Sequence, residues 1–179
     1  MKKTVLLFML VLMVGCAGMP GMPGSIEEQV SQFDGSREIK MRPAWVGRNP
    51  SIIKFGLHRT SKMPENEIAL TVLIKGANLI SRGESLQFNI DGEVVSMTSV
   101  DDFTDIETTS GHSDIVLASN WSSKRYVITK EFIDKLLAAN RVAVKVELSK
   151  SYAEGLFSDD FPVAARPAFR EFRKRVYGY

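Results

Sequence analysis

The sequence predicts a mainly β fold of the α+β class. The expected form is an antiparallel sheet or β-sandwich with one internal helix at about 130–139 and a C-terminal helix at about 167–176. Three observations carry this. Apolar and polar residues alternate in several separate runs, the period of a half-buried strand. An Asp91-Gly92 step sits between two such runs, the strongest short-range hairpin signal. Both helical patterns come late in the chain, which suits helices packed at one end of a sheet.

Each element has its own warrant. Ile53, Phe55 and Leu57 alternate with Lys54, Gly56 and His58. Ile68, Leu70, Val72 and Ile74 alternate with Ala69, Thr71 and Leu73, so this run is apolar on both faces and predicts a central strand. A two-residue turn at Asp91-Gly92 pairs Ile90 with Glu93, Phe88 with Val95 and Leu86 with Met97. Turn chemistry and hydrophobic register then agree. Ile115-Val116-Leu117 and Arg125-Tyr126-Val127-Ile128 read as short strands, and Val142, Val144, Val146 and Leu148 form the cleanest alternation in the chain.

The first helix starts at an N-cap, Thr129, with Glu131 in its first turn and Phe132, Ile133, Leu136 and Leu137 on one face. Asn140 is a residue type that tolerates the left-handed conformation and is expected to stop it. In the second, Phe169, Phe172 and Val176 share a face, Pro167 suits the first helical position, and the cations gather late. Residues 26–50 are polar, broken by Asp34-Gly35, Pro43 and Pro50, and read as a loose lead-in with room for one short strand or helical turn.

The first sixteen residues follow a different logic. Lys2 and Lys3 precede about ten apolar residues, the charged and hydrophobic regions of a secretory signal. A bilayer-spanning helix needs roughly twenty. No polar face interrupts the run, and the Gly-Met-Pro repeat at 18–23 follows it, so a buried core helix is the poorer reading. The run ends in Val14-Gly15-Cys16, which holds the only cysteine in the chain. This resembles the lipobox of bacterial lipoproteins, with Met13 where that family usually has Leu. The resemblance covers residues 1–16 alone. It implies a diacylglyceryl thioether on Cys16, cleavage after Gly15, and a signal peptide over 1–15. Ala17, in place of an Asp, implies outer-membrane sorting in a Gram-negative cell. The remaining layout is then a lipidated cysteine, a Gly/Met/Pro-rich tether and lead-in over 16–50, and a single globular β-rich domain over 51–179.

Charge narrows the partners. The formal net charge of +2 comes from Lys2 and Lys3, and without them acids and bases balance. Nucleic-acid binding normally needs a basic excess, so no nucleic-acid partner is expected. The expected partners are the membrane, through acyl chains on Cys16, and an envelope protein or cell-wall component.

No catalytic, cofactor or metal site is expected. Ser110, His112 and Asp114 tempt one toward a triad, but neighbouring side chains diverge and cannot form the relay. Asp101, Asp102, Asp105 and Glu107 offer oxygens to calcium without the spacing of the standard loop, and read as a solvated acidic loop. His58 and His112 are the only histidines, and His58 reads as a strand-surface residue. Arg166, Arg170, Arg173, Lys174 and Arg175 make the last helix basic, either for lipid headgroups or as a solvated face. The leading expectation is a non-enzymatic, lipid-anchored binding or structural module. The competing class is a hydrolase-like envelope enzyme with scattered carboxylates and hydroxyls.

Overall fold

A computed structural model describes residues 22–47, 52–109, 119–160 and 164–178. The signal pattern with Cys16, the Ser110–Asp114 cluster and the Ile115–Leu117 run lie outside these residues.

Among the described residues, ten strands and two helices follow in chain order: β1 (Ile26–Val30), β2 (Arg37–Val46), β3 (Ile53–Thr60), β4 (Glu67–Lys75), β5 (Glu84–Ile90), β6 (Glu93–Thr98), β7 (Asp105–Thr109), β8 (Ser119–Thr129), α1 (Lys130–Ala138), β9 (Val142–Glu147), β10 (Tyr152–Leu156) and α2 (Ala165–Tyr177). They form a mainly β, α+β fold with two antiparallel sheets in a sandwich-like arrangement. One sheet has six strands in the order β1-β2-β3-β4-β8-β7, and the other has four in the order β10-β9-β5-β6.

The alternating runs point inward as expected. Ile53, Phe55 and Leu57 of β3, the even-numbered apolar residues of β4, and Val142, Val144 and Val146 of β9 are all buried. The β5–β6 hairpin has the register that its turn dictates, Ile90 with Glu93, Phe88 with Val95 and Leu86 with Met97. Asp91 takes φ 51° and Gly92 φ 101°, the positive values of a two-residue hairpin turn. The sheets meet through Phe55 and Phe88, whose ring centroids lie 5.9 Å apart. A buried hydrogen bond of 2.8 Å between the Ser85 and Tyr126 hydroxyls also crosses the interface.

The helices close the rest of the core. The Thr129 hydroxyl accepts from the Phe132 N–H, capping α1. Phe132 then sits edge-on to Phe88. Phe169 of α2 packs on Phe55 and Phe157. Arg166 donates to the Leu137 and Ala139 carbonyls at 2.9 and 2.5 Å, so α2 caps the C-terminal end of α1. Among the described residues, no helix is long and apolar enough to cross a membrane.

Four expectations are corrected. Residues 26–46 are not a loose lead-in: β1 and β2 belong to the larger sheet, and Ile39, Met41, Ala44 and Val46 are core residues. The packed unit therefore begins before residue 51. The acidic stretch 101–107 is not all loop, since Asp105, Ile106 and Glu107 open β7. The first helix ends at Ala139 in extended backbone, not at a left-handed Asn140. The second begins two residues early, at Ala165, which puts Pro167 at its third position. A proline is tolerated there because the first-turn N–H groups lack intrahelical partners.

Candidate functional site

The outer face of the six-stranded sheet carries a groove whose floor follows from residue size. Gly56 pairs with Thr71, and Leu73 pairs with Ser123. These mostly small side chains leave a shallow channel across β3, β4 and β8. Two connected hollows of 320 and 250 Å³ share Arg42, Pro43, Leu73 and Glu107 in their walls.

Both tryptophans of the chain stand at one end of this groove. Their rings are 5.7 Å apart and tilted at 61°. The Lys54 ammonium lies 4.1 Å from the Trp45 ring centroid and 4.2 Å from that of Trp121. Such cation–π contact fixes the position of a long, flexible side chain. Strand register explains the assembly: Trp45 is opposite Lys54, and Lys75 is opposite Trp121. A bulge between Met41 and Ala44 is decisive. Strict alternation from Met41 would turn Trp45 inward. The extra residue turns Ala44 and Val46 inward instead and leaves Trp45 outside.

Lys54 is half-buried. Desolvation, and then the nearby Lys75 charge, hold its pKa below the ordinary lysine value. Among the described residues, no carboxylate comes within ion-pair distance of Lys54 or Lys75, and none of the cations pairs with Glu107. The other charges along the groove are matched. Arg42 pairs with Glu27. Lys40 and His58 both meet Glu38, each at 2.8 Å. His58 is thus the strand-surface residue expected, with no hydroxyl or thiol hydrogen-bonded to it among the described residues.

A second groove of 460 Å³ crosses the outer face of the smaller sheet, lined by Gln87, Asn89, Ala143, Lys145, Glu154 and Leu156. Of the two cations in its wall, Arg141 and Lys145, the lysine is already satisfied. Lys145 bonds Glu147 at 2.5 Å and lies 4.7 Å from the Tyr152 ring.

The other residues singled out in the sequence have structural partners. Asp101 binds the Arg125 guanidinium and accepts the Arg125 backbone N–H, each at 2.7 Å. Burial raises the carboxyl's pKa, but the bonds to Arg125 outweigh it and hold it below the ordinary value. Among the described residues, no three His, Cys, Asp or Glu side chains are placed to hold a metal. On α2, Arg170 pairs with Asp159, Arg173 with Asp134, and Arg175 with Glu171 and Glu28. The basic helix thus spends most of its charge inside the molecule.

Compared with family models, curated proteins and solved structures, the chain matches none.

Proposed function

We propose that this chain is a lipid-anchored lipoprotein of the bacterial cell envelope, held by acyl chains on Cys16, whose β-rich unit acts without catalysis as a binding or structural module. The observation that carries the reading is the ordered pattern of Lys2-Lys3, an uninterrupted apolar run, and Gly15-Cys16 followed by a Gly-Met-Pro tether. Two or more acyl chains hold far more firmly than one, since each buried methylene contributes about 0.8 kcal/mol. The sheet faces support the second half of the reading. Their grooves are open and shallow, and the histidine–carboxylate pair on one of them has no hydroxyl or thiol hydrogen-bonded to the imidazole among the described residues. Outer-membrane placement follows from Ala17 if the cell is Gram-negative.

The test is metabolic labelling with a radioactive fatty acid, with detergent partitioning. The native chain is expected to take up label and enter the detergent phase. Cys16→Ala is expected to lose the label and to accumulate as precursor. A Cys16→Ala chain that still carries label overturns the anchor. Hydrolysis of envelope substrates by the purified protein, lost on changing a groove carboxylate, overturns the non-enzymatic reading.

A further inference from the structure

Lys54 and Glu107 line one hollow of 320 Å³, between the apolar surfaces of Trp121, Leu73 and Pro43. They carry opposite charges, yet they lie beyond ion-pair distance of each other and of every other described partner. The molecule elsewhere joins such groups readily, as the ion pairs of α2 show. Here it holds them apart. Trp45 and Trp121 pin the ammonium, and the pairing of Glu107 with Trp121 across β7 and β8 fixes the carboxylate's strand position.

We propose that this hollow binds a small zwitterion, with its oxyanion, a phosphate or carboxylate, on the Lys54 ammonium and its own ammonium on Glu107. Three physical points support this assignment. The ammonium of Lys54 has three N–H donors and no acceptor. An oxyanion beside Lys54 offsets the repulsion from the nearby Lys75 charge. A simple anion is disfavoured by Glu107 across the hollow, whereas a zwitterion meets it with a positive group. The hollow's 320 Å³ lies at the small end of ligand pockets and suits a group of this size. The inference deepens the binding-module reading and rests on it, but not on the Cys16 anchor.

The two tryptophans are the only ones in the chain, so selectively excited tryptophan emission reports this site alone. Titrating the full-length detergent-solubilised protein with O-phosphoethanolamine is expected to give a saturable change in emission. Inorganic phosphate is expected to bind about tenfold more weakly, the loss of one charge-assisted contact. Lys54→Met keeps the alkyl stem between the indoles and is expected to abolish the response to both. Glu107→Gln is expected to strengthen phosphate binding, by removing a like charge, and to erase the preference for phosphoethanolamine.

Circular dichroism confirms that each variant is folded. Vesicles of phosphatidylcholine with and without phosphatidylethanolamine separate the two sources of such a group. Binding to the vesicles that contain phosphatidylethanolamine assigns a lipid headgroup, and binding to the soluble compound alone assigns a free metabolite. A wild-type protein that shows no saturable response, a Lys54→Met protein that responds as wild type, or a Glu107→Gln protein that keeps the preference overturns the proposal. Failure here leaves fatty-acid labelling of Cys16 unaffected, so the two ideas fail separately.

Discussion

The Asp91 carboxylate, at the tip of the β5–β6 hairpin, accepts the backbone N–H of Arg141 at 2.8 Å and that of Asn140 at 3.0 Å. The Asp91 N–H in turn donates to the Arg141 carbonyl at 3.0 Å. One turn residue therefore fixes the point where α1 ends and β9 begins. Asp91→Ala removes both side-chain bonds and places a non-glycine residue without a polar side chain at positive φ. A loss of about 2–3 kcal/mol is expected. Asp91→Asn keeps an acceptor and tolerates the backbone, so about half of that is expected. Urea denaturation measures both. Equal losses from the two variants would show that a side-chain acceptor and tolerance of positive φ contribute nothing at this position.

Tyr126 and Ser85 share a hydrogen bond with both residues fully buried between the sheets. Burial pushes the Tyr126 hydroxyl's pKa up, while its bond to Ser85 opposes the shift. Tyr126→Phe is expected to cost about 1–2 kcal/mol by stranding the Ser85 hydroxyl, which keeps only a long contact of 3.3 Å to Gly83. Adding Ser85→Ala to Tyr126→Phe is expected to cost little more, because the stranded group is gone. Additive losses in the double-mutant cycle would contradict this coupling.

Asp134 of α1 pairs with Arg173 of α2. The bond to Arg173 holds the Asp134 carboxyl below its ordinary pKa, against a smaller effect of burial. A depressed carboxyl pKa stabilises the fold above the unfolded value of about 4 and loses that contribution as pH falls through the folded value. Both side chains are partly solvated, so the expected contribution is about 0.5–1 kcal/mol at pH 7. Asp134→Asn should lower stability by that amount at pH 7 and by progressively less below about pH 4. Thermal melts at several pH values test the convergence.

Gly155 of β10 lies against the end of β2. A Cβ there would stand 2.8 Å from the Val46 carbonyl oxygen and 3.1 Å from its Cγ1. Backbone cannot step aside as a side-chain tip can, so Gly155→Ala should cost about 1–3 kcal/mol. By contrast, a Cβ at Gly56 meets nothing closer than 3.4 Å, so Gly56→Ala is the control expected to change stability little. Comparable losses from the two variants would contradict the role of the Val46 carbonyl.

Where strands alternate cleanly, their pairing was legible in the residues. The β5–β6 register and the inward set of β4 and β9 follow from pattern alone. The misses have physical causes. In β2 the bulge and Pro43 break the period after Met41. In β8 the inward residues Ser122 and Lys124 are polar, so only its last third shows as a strand. In β10 the inward residues are Ala153 and Gly155, too small to signal a core face. The groove was harder still to read. Trp45 and Trp121 are far apart in sequence, and only the bulge in one strand and the pairing of two others bring them to one lysine. The isolated tryptophans were the available clue.

The packing of α2 on β2 and β3 also sets an order of events. Phe169 and Phe172 of that late helix are fully buried and complete a core that the early strands begin. A ribosome delivers the chain N-terminus first. Until residue 177 has emerged, the inner side of β2 and β3 is only partly covered, and many of its contacts must wait for partners more than a hundred residues downstream. Such long-range closure makes folding slow. On the lipoprotein proposal that delay is useful: a nascent polypeptide that cannot finish its core early stays threadable long enough to be secreted, and becomes rigid on the far side.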